Sequence, residues 1–275
     1  MIPELRRRSA IDHLDQLGFF RHIQWLDQVD STNRYLDRLI KADQIRLPSL
    51  VVADAQTAGA GRGSNRWYSP QGCLMFSMAI EHAQLSAQEN PQSFSMLPLQ
   101  IGLAVAQALT PMVRTRPKVK WPNDVYIQDR KVCGILIESS SIGDLGYAVI
   151  GIGINCQVDF DQAPYEVRQS AISVHEVLSQ SNQEFANCES ILIAFLQSWL
   201  QIRSECQSRE NWIEQTWSDW DWLADRQIQI QQPNRTLIGK ADGIAADGAL
   251  RLIDSDANRH TILSGSVRVL DETNP

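Results

Sequence analysis

Apolar and polar positions along the chain divide it into a larger portion of mixed helix and strand and a short all-β tail. Residues 3–18 read as a short amphipathic helix, and HIQWLDQV at 22–29 alternates as a strand does. In DSTNRYLDRLIKA, Tyr35, Leu36, Leu39 and Ile40 fall on one helical face, and Asp30, Ser31 or Thr32 can cap its start. SLVVADAQ (49–56) and GCLMFSMAIEH (72–82) read as strands on either side of a glycine-rich stretch. LPLQIGLAVAQAL (97–109) reads as a buried helix with Pro98 near its first turn, where proline is tolerated. The middle is rich in β signals. KVKW is a short strand, NDVYIQDRKVCGILIES reads as strand, turn at QDRK, strand, and YAVIGIGIN is another strand. ESILIAFLQSWLQIRSE (189–205) aligns Leu192, Phe195, Leu196, Trp199 and Ile202 on one face of a long helix. Tryptophans 212, 217, 220 and 222 follow and are expected to pack a domain junction.

From about residue 224 the pattern becomes short strands with turn residues between them. Asp-Gly pairs at 242–243 and 247–248 mark hairpins, and a small β-barrel-like module is expected. The predicted spans are therefore 1–223 and 224–275.

Composition narrows the class. The 275 residues are 43% apolar and 21% charged, as in an ordinary globular chain. The reading finds no apolar run long enough to span a bilayer and no signal-peptide core, so no membrane association and a cytoplasmic setting are expected. A net charge of −7 argues against general nucleic-acid binding, which needs clustered cations. The one basic run, arginines 6–8, reads as a solvated helix start. Five cysteines without a C-x-x-C pair, and five scattered histidines, argue against a disulfide framework and a protein-built zinc site.

TAGAGRGSNRW (57–67) carries the first candidate chemistry. It is not a dinucleotide fingerprint. Gly59, Gly61 and Gly63 are spaced G-x-G-x-G, Ser64 stands where the third glycine should be, and NRWYSPQG is a poor helix. A phosphate-binding G-x-x-x-x-G-K-[ST] loop is absent. The glycines allow close backbone approach, and Arg62 offers a planar fork to a carboxylate or phosphate, so the segment could close over an anion. Taken alone it is equally a flexible surface loop. KVKWPNDVYIQDRKVCGILIES (118–139) gathers Lys120, Asn123, Asp124 and Lys131 around one strand–turn–strand, although each has an ordinary turn or surface role open to it. GIGIN (151–155) ends a strand with two glycines and Asn155.

Together, DSTN, QTAGAGRGSNRWYSP, KWPNDVYIQDRKVCGILIE and GIGIN, in this order and spacing, resemble the biotin protein ligases (biotin–[acetyl-CoA-carboxylase] ligases). The resemblance is strong over residues 22–160 and weaker over the tail. It implies an α/β (α+β) fold, with a mixed-sheet biotin/lipoate-ligase-like catalytic domain and a small C-terminal SH3-like β-barrel. It implies that biotin and MgATP give biotinyl-5′-AMP, and that the biotin then passes to one lysine of a biotin carboxyl carrier protein. The same resemblance assigns roles. Ser31, Thr32, Asn33 and Gln56 would hold the ureido ring, with Gly134 in the same pocket. Gly59, Ala60, Gly61 and Arg62 would close over the carboxylate and the adenylate phosphate. Lys131 would sit at their junction. Trp67, Lys120, Asn123 and Asn155 would face the nucleotide. Asp124 would lie near Mg²⁺ and is a candidate acceptor for the attacking lysine's proton. Arg62, Lys131 and the ion would neutralise developing charge while the closed loop excludes water.

This sequence departs from the family pattern at some positions. Ala60 replaces a basic residue common in the loop. In SGSVRVL, Ser266 replaces Glu and Leu270 replaces Arg, with Arg268 nearby as a possible substitute. About twenty residues precede the first predicted strand, so a ligase without the N-terminal DNA-binding domain of some bacterial members is expected. Members of the family include monomers and homodimers. The competing readings are a lipoate or octanoate ligase on the same scaffold and a non-enzymatic biotin-sensing regulator.

Overall fold

A computed structural model describes residues 3–85, 92–179 and 187–270. The outer ends of the two predicted spans, residues 1–2 and 271–275, lie outside the described residues. In chain order the elements are α1 (Pro3–Gln16), β1 (His22–Val29), α2 (Thr32–Lys41), β2 (Ser49–Gln56), β3 (Cys73–Glu81), α3 (His82–Leu85), α4 (Gln92–Leu109), β4 (Lys118–Lys120), β5 (Asp124–Ile127), β6 (Arg130–Ile142) and β7 (Leu145–Asn155). There follow α5 (Tyr165–Ser170), α6 (Val174–Ser179), α7 (Cys188–Ser208), α8 (Trp212–Thr216) and strands β8 (Gln227–Gln232), β9 (Arg235–Ile244), β10 (Leu250–Ile253), β11 (Arg259–Ile262) and β12 (Ser266–Val269).

Seven strands form one mixed sheet in the order β1-β2-β3-β7-β6-β5-β4. Only β1 and β2 pair in parallel. β3 is almost wholly apolar because both of its faces are covered. On one face α4 and α7 pack together over Phe76, Met78 and Ile150. On the other, α2 lays Leu36 and Ile40 against Val51, Ala79 and Val149. Glycines in the β6–β7 ladder thin that second face: Gly134 stands opposite Gly153, and Gly151 opposite Leu136.

Four sequence expectations change here. Helix α4 begins at Gln92, so Pro98 lies inside the helix rather than in its first turn. The residues Phe94–Met112 also reach the length and hydropathy of a membrane span, contrary to the reading that no run does. Buried Leu97, Ile101, Leu103 and Val105 belong to the same cluster as α7 and the sheet, and the helix is a core element. Within the arginine run Arg7 is not merely solvated: it pairs with Asp27 at 2.6 Å and with Asp54, tying α1 to the β1–β2 edge, while the Arg6 side chain lies outside the described residues. The β5–β6 turn is shorter than QDRK. Gln128 and Asp129, both at positive φ, form a two-residue hairpin, and Arg130 already belongs to β6.

The tail is a five-stranded antiparallel sheet in the order β11-β10-β9-β8-β12. It is tied to the larger sheet through the tryptophan-rich segment. Val119 of β4 donates to the Trp220 carbonyl at 2.7 Å, and Trp222 donates back to the Val119 carbonyl at 3.0 Å. The Trp121 indole donates to the Gly248 carbonyl at 3.0 Å. Trp217, Trp220 and Trp222 are buried at this seam, as expected.

Candidate active site

Between α2, the glycine loop and the β4–β7 end of the large sheet lies a cavity of about 390 Å³, within the usual range for a small-molecule site. Its buried end is polar but uncharged. Ser31, Thr32 and Asn33, each more than nine-tenths buried, begin α2. Ser31 occupies the cap position without a side-chain capping bond, so the carboxamide of Gln56 takes over that task. Gln56 Oε1 accepts from the Thr32 backbone at 2.8 Å and lies 3.3 Å from its hydroxyl. Buried Ser77 of β3 donates to Asn33 Oδ1 at 2.6 Å and stands 2.6 Å from the Thr32 hydroxyl. Asn33 Nδ2 donates to Glu138 Oε2 at 2.7 Å. A fixed hydrogen-bonding network is thus presented at the inner wall.

The floor is made by absent side chains. A Cβ on Gly153 would stand 2.4 Å from the Trp67 indole, and one on Gly134 would stand 2.9 Å from it. A Cβ on Gly151 would stand 2.2 Å from Asn33 Oδ1. Trp67 therefore lies against the β6–β7 glycine pair, with its N–H donated to Cys73 Sγ at 3.3 Å. Burial pushes the Cys73 thiol up to about 12, with the Trp67 bond acting weakly against that shift.

Residues 59–67 form a tight hairpin. Gly61 donates to Asn65 O at 2.9 Å, Asn65 to Arg62 O at 3.2 Å and Trp67 to Gly59 O at 3.1 Å. Arg62 reaches across the mouth to Asn123 Oδ1 at 3.3 Å. Ala60 and Arg66 are cross-strand partners in this hairpin. Both line the cavity, and Arg66 has no ion-pair partner among the described residues. The cation missing at Ala60 therefore has a counterpart one rung across.

Lys131 and Asp124 pair at 2.7 Å, and the Lys131 ammonium lies 5.5 Å from the Trp67 ring centre. Asn123 is fixed by donating to Ile135 O at 2.6 Å. Lys120 lines the cavity at the end of β4, and burial lowers its pKa, with Asp124 opposing that shift. Arg62, Arg66, Lys120 and Lys131 thus meet one carboxylate in a chain that is acidic overall. A bound anion would be strongly favoured there.

Most predicted site residues come together in this cavity: Ser31, Thr32, Asn33, Gln56, Ala60, Gly61, Arg62, Trp67, Lys120, Asn123, Asp124, Lys131 and Gly134. Two do not line it. Gly59 is buried beneath the hairpin, where a Cβ would meet Ser69 Oγ and Trp67 O, both at 2.9 Å. Asn155 is buried, and its Nδ2 donates to Lys131 O at 3.3 Å and Ile172 O at 3.2 Å, so it braces β6 rather than facing a nucleotide. From the tail, Gly265, Ser266 and Val267 reach the cavity. Arg268 is exposed and does not line it, so it is no substitute for the missing family charges. The sequence reading missed Ser77 and Arg66. Ser77 had a signal, being the one hydroxyl in an otherwise apolar strand. Arg66 acquires its place only from the hairpin register.

Among the described residues no group of three or more His, Cys, Asp or Glu side chains could hold a metal. Asp124 is the single carboxylate of the cavity lining. That donor set fits an ion such as Mg²⁺ that arrives on phosphates and takes one or two protein carboxylates.

Comparison with known proteins gives a consistent picture. Residues 25–155 match the Biotin/lipoate A/B protein ligase family, and residues 225–270 match the Biotin protein ligase C terminal domain. The Bifunctional ligase/repressor BirA of Salmonella typhimurium is 31% identical over 82% of this chain and 68% of its own length. A Biotin--[acetyl-CoA-carboxylase] ligase of Mycobacterium tuberculosis is 30% identical over 62% of each chain. A biotin protein ligase from Aquifex aeolicus, solved with biotin and ATP, superposes with a TM-score of 0.76 at 26% identity. That superposition covers 91% of this chain and all of that one.

Proposed function

Because the chain belongs to the biotin protein ligase family, we propose that it joins biotin to AMP using MgATP and transfers the biotin to one lysine of a biotin carboxyl carrier protein. The carrier we assign is the acetyl-CoA carboxylase subunit. The observation that carries this reading is the polarity of the cavity: uncharged and hydrogen-bonding at buried Ser31–Asn33 and half-buried Gln56, cationic at the mouth.

A ligand with a neutral hydrogen-bonding ring at one end and a carboxylate at the other satisfies both ends. The dithiolane of lipoate and the alkyl end of octanoate would desolvate this polar wall without adding a hydrogen bond to it, which is costly. The polar inner wall therefore favours biotin over the lipoate and octanoate alternatives. In the first step a carboxylate oxygen of biotin attacks the α-phosphorus and pyrophosphate leaves. Two anions must approach, and Arg62, Lys131 and Lys120 lower that cost, with Asn123 steadying Arg62. Arg66 supplies charge opposite Ala60. Trp67 closes the floor and shields the mixed anhydride from water. Asp124 would hold the Mg²⁺ that enters with the triphosphate, and the ion would spread the phosphate charge. In the second step the carrier lysine attacks the acyl carbon, AMP leaves, and Asp124 is the nearest carboxylate to take the amine's proton. No nucleophile from this chain is required. A cytoplasmic setting, where ATP and unmodified carrier coexist, suits five free cysteines.

The test is transfer of labelled biotin to a purified carrier domain with MgATP. Labelling that depends on both substrates is expected. Biotin binding with no pyrophosphate release and no labelling would instead support the non-enzymatic regulator.

A further inference from the structure

Lys120 is set apart from the other cations of the cavity by two aromatic rings. Like Arg66 it has no ion-pair partner among the described residues, although Asp124 is its cross-strand partner. The ammonium lies 5.1 Å from the ring centres of both Tyr126 and Trp222 and donates to the Tyr126 hydroxyl at 3.4 Å. The two rings pack at 4.6 Å, tilted by 38°. Neither ring lines the cavity, whereas Lys120 does.

Trp222 belongs to the segment leading into the C-terminal sheet, and three further contacts fix its position. Its backbone N–H donates to Val119 O at 3.0 Å, next to Lys120 itself. Its indole N–H donates to Asp129 Oδ1 at 2.9 Å. Asp129 is in turn paired with Arg226 at 2.6 Å, and the Arg226 guanidinium lies 3.9 Å from the same indole. The ring is held firmly beside a cation whose charge no carboxylate pairs. Aromatic faces can hold a cation in place without neutralising it. An acid at this position would hold it equally well but cancel the charge that an incoming phosphate needs.

We infer that Trp222 is a positioning residue for the nucleotide: with Tyr126 it holds the Lys120 ammonium at the cavity edge, unneutralised, and makes MgATP binding depend on the docked 220–226 segment. This rests on the proposal that Lys120 meets the nucleotide phosphates.

The experiment measures KM for MgATP, KM for biotin and kcat in biotin-dependent pyrophosphate release by the full chain. Trp222→Leu is expected to raise KM for MgATP about tenfold, with KM for biotin and kcat within about threefold of wild type. Trp222→Phe is expected to recover most of that loss, because it keeps an aromatic face. In a Lys120→Met background Trp222→Leu should add little, since the two residues act as one unit. The inference is overturned if Trp222→Leu leaves KM for MgATP unchanged, raises both KM values in parallel, or acts undiminished without Lys120. Should Trp222→Leu fail to fold, Asp129→Gly removes the acceptor of the indole N–H at a positive-φ turn position that glycine tolerates. A rise of about threefold in KM for MgATP alone is then expected, and no rise overturns the inference. Absence of biotin-dependent pyrophosphate release by the wild-type chain would instead remove the ligase reading beneath it.

Discussion

Two glycine clusters face each other across the cavity, and they are glycines for opposite reasons. In the hairpin at 59–67, Gly63 sits at φ +62 with nothing near its missing side chain, so only its backbone conformation asks for glycine. In the floor, Gly134, Gly151 and Gly153 are ordinary extended residues whose missing side chains leave room for Trp67 and Asn33. The hairpin glycine shapes a turn, and the floor glycines make a seat. Gly59 belongs with the floor although it lies in the hairpin, since its Cβ would strike Trp67 O and Ser69 Oγ. A G-x-G pattern thus says little about mobility until the space around each position is known.

This contrast can be broken experimentally. The largest effect is expected from Gly153→Val, which drives the indole off the floor. Biotin transfer should fall by at least on the order of a hundredfold, with about 1–3 kcal/mol of stability lost. Transfer assays and thermal unfolding together check it, and a near-wild-type rate would show that Trp67 is not seated as described. Next comes Arg62→Ala, which removes the cation at the hairpin tip. Activation should slow by roughly a hundredfold, and biotinyl-AMP should leak into solution, measured as free adenylate after a single turnover. A variant that retains its intermediate as wild type does would take Arg62 out of this role. Gly63→Val should be milder than either. A β-branched side chain at positive φ costs about 1–2 kcal/mol, read as a lower unfolding midpoint.

The smallest change is chemical. The Cys73 thiol is raised to about 12 by burial, so almost no thiolate is present at pH 8. Alkylation of Cys73 should be negligible in the folded wild type and rapid after denaturation, by mass spectrometry. In Gly153→Val the same thiol should become reactive, because the indole that covers it has moved. Equal protection in both proteins would separate Cys73 from the Trp67 seat.

Much of this was legible in the sequence, and the reasons differ by region. Strand alternation, the amphipathic face of α2 and the turn at Asp247-Gly248 are local signals and match the elements found, whereas Asp242-Gly243, expected as a second hairpin, lies inside β9 with Gly243 at positive φ. The order of DSTN, the glycine loop, KWPND and GIGIN gave the membership of the cavity. What stayed hidden depends on register or on distant partners. The Ala60–Arg66 pairing, the Ser77 link to Asn33 and the aromatic surroundings of Lys120 join residues far apart in the chain or across a hairpin. The bracing bonds of Asn155 were hidden for the same cause: a terminal strand amide can reach several partners, and only the fold shows that its Nδ2 donates to Lys131 O and Ile172 O. The early start of α4 was hidden because its opening residues precede Pro98, which reads as a helix start rather than an interior position.

The central claim is that the polar inner wall and cationic mouth together select and activate biotin. Its most direct test is pyrophosphate release from MgATP by the wild-type chain, measured separately with biotin, lipoate and octanoate. Release with biotin at least on the order of a hundredfold above either other acid is the predicted result. Equal release with all three, or release driven by lipoate or octanoate, would contradict it.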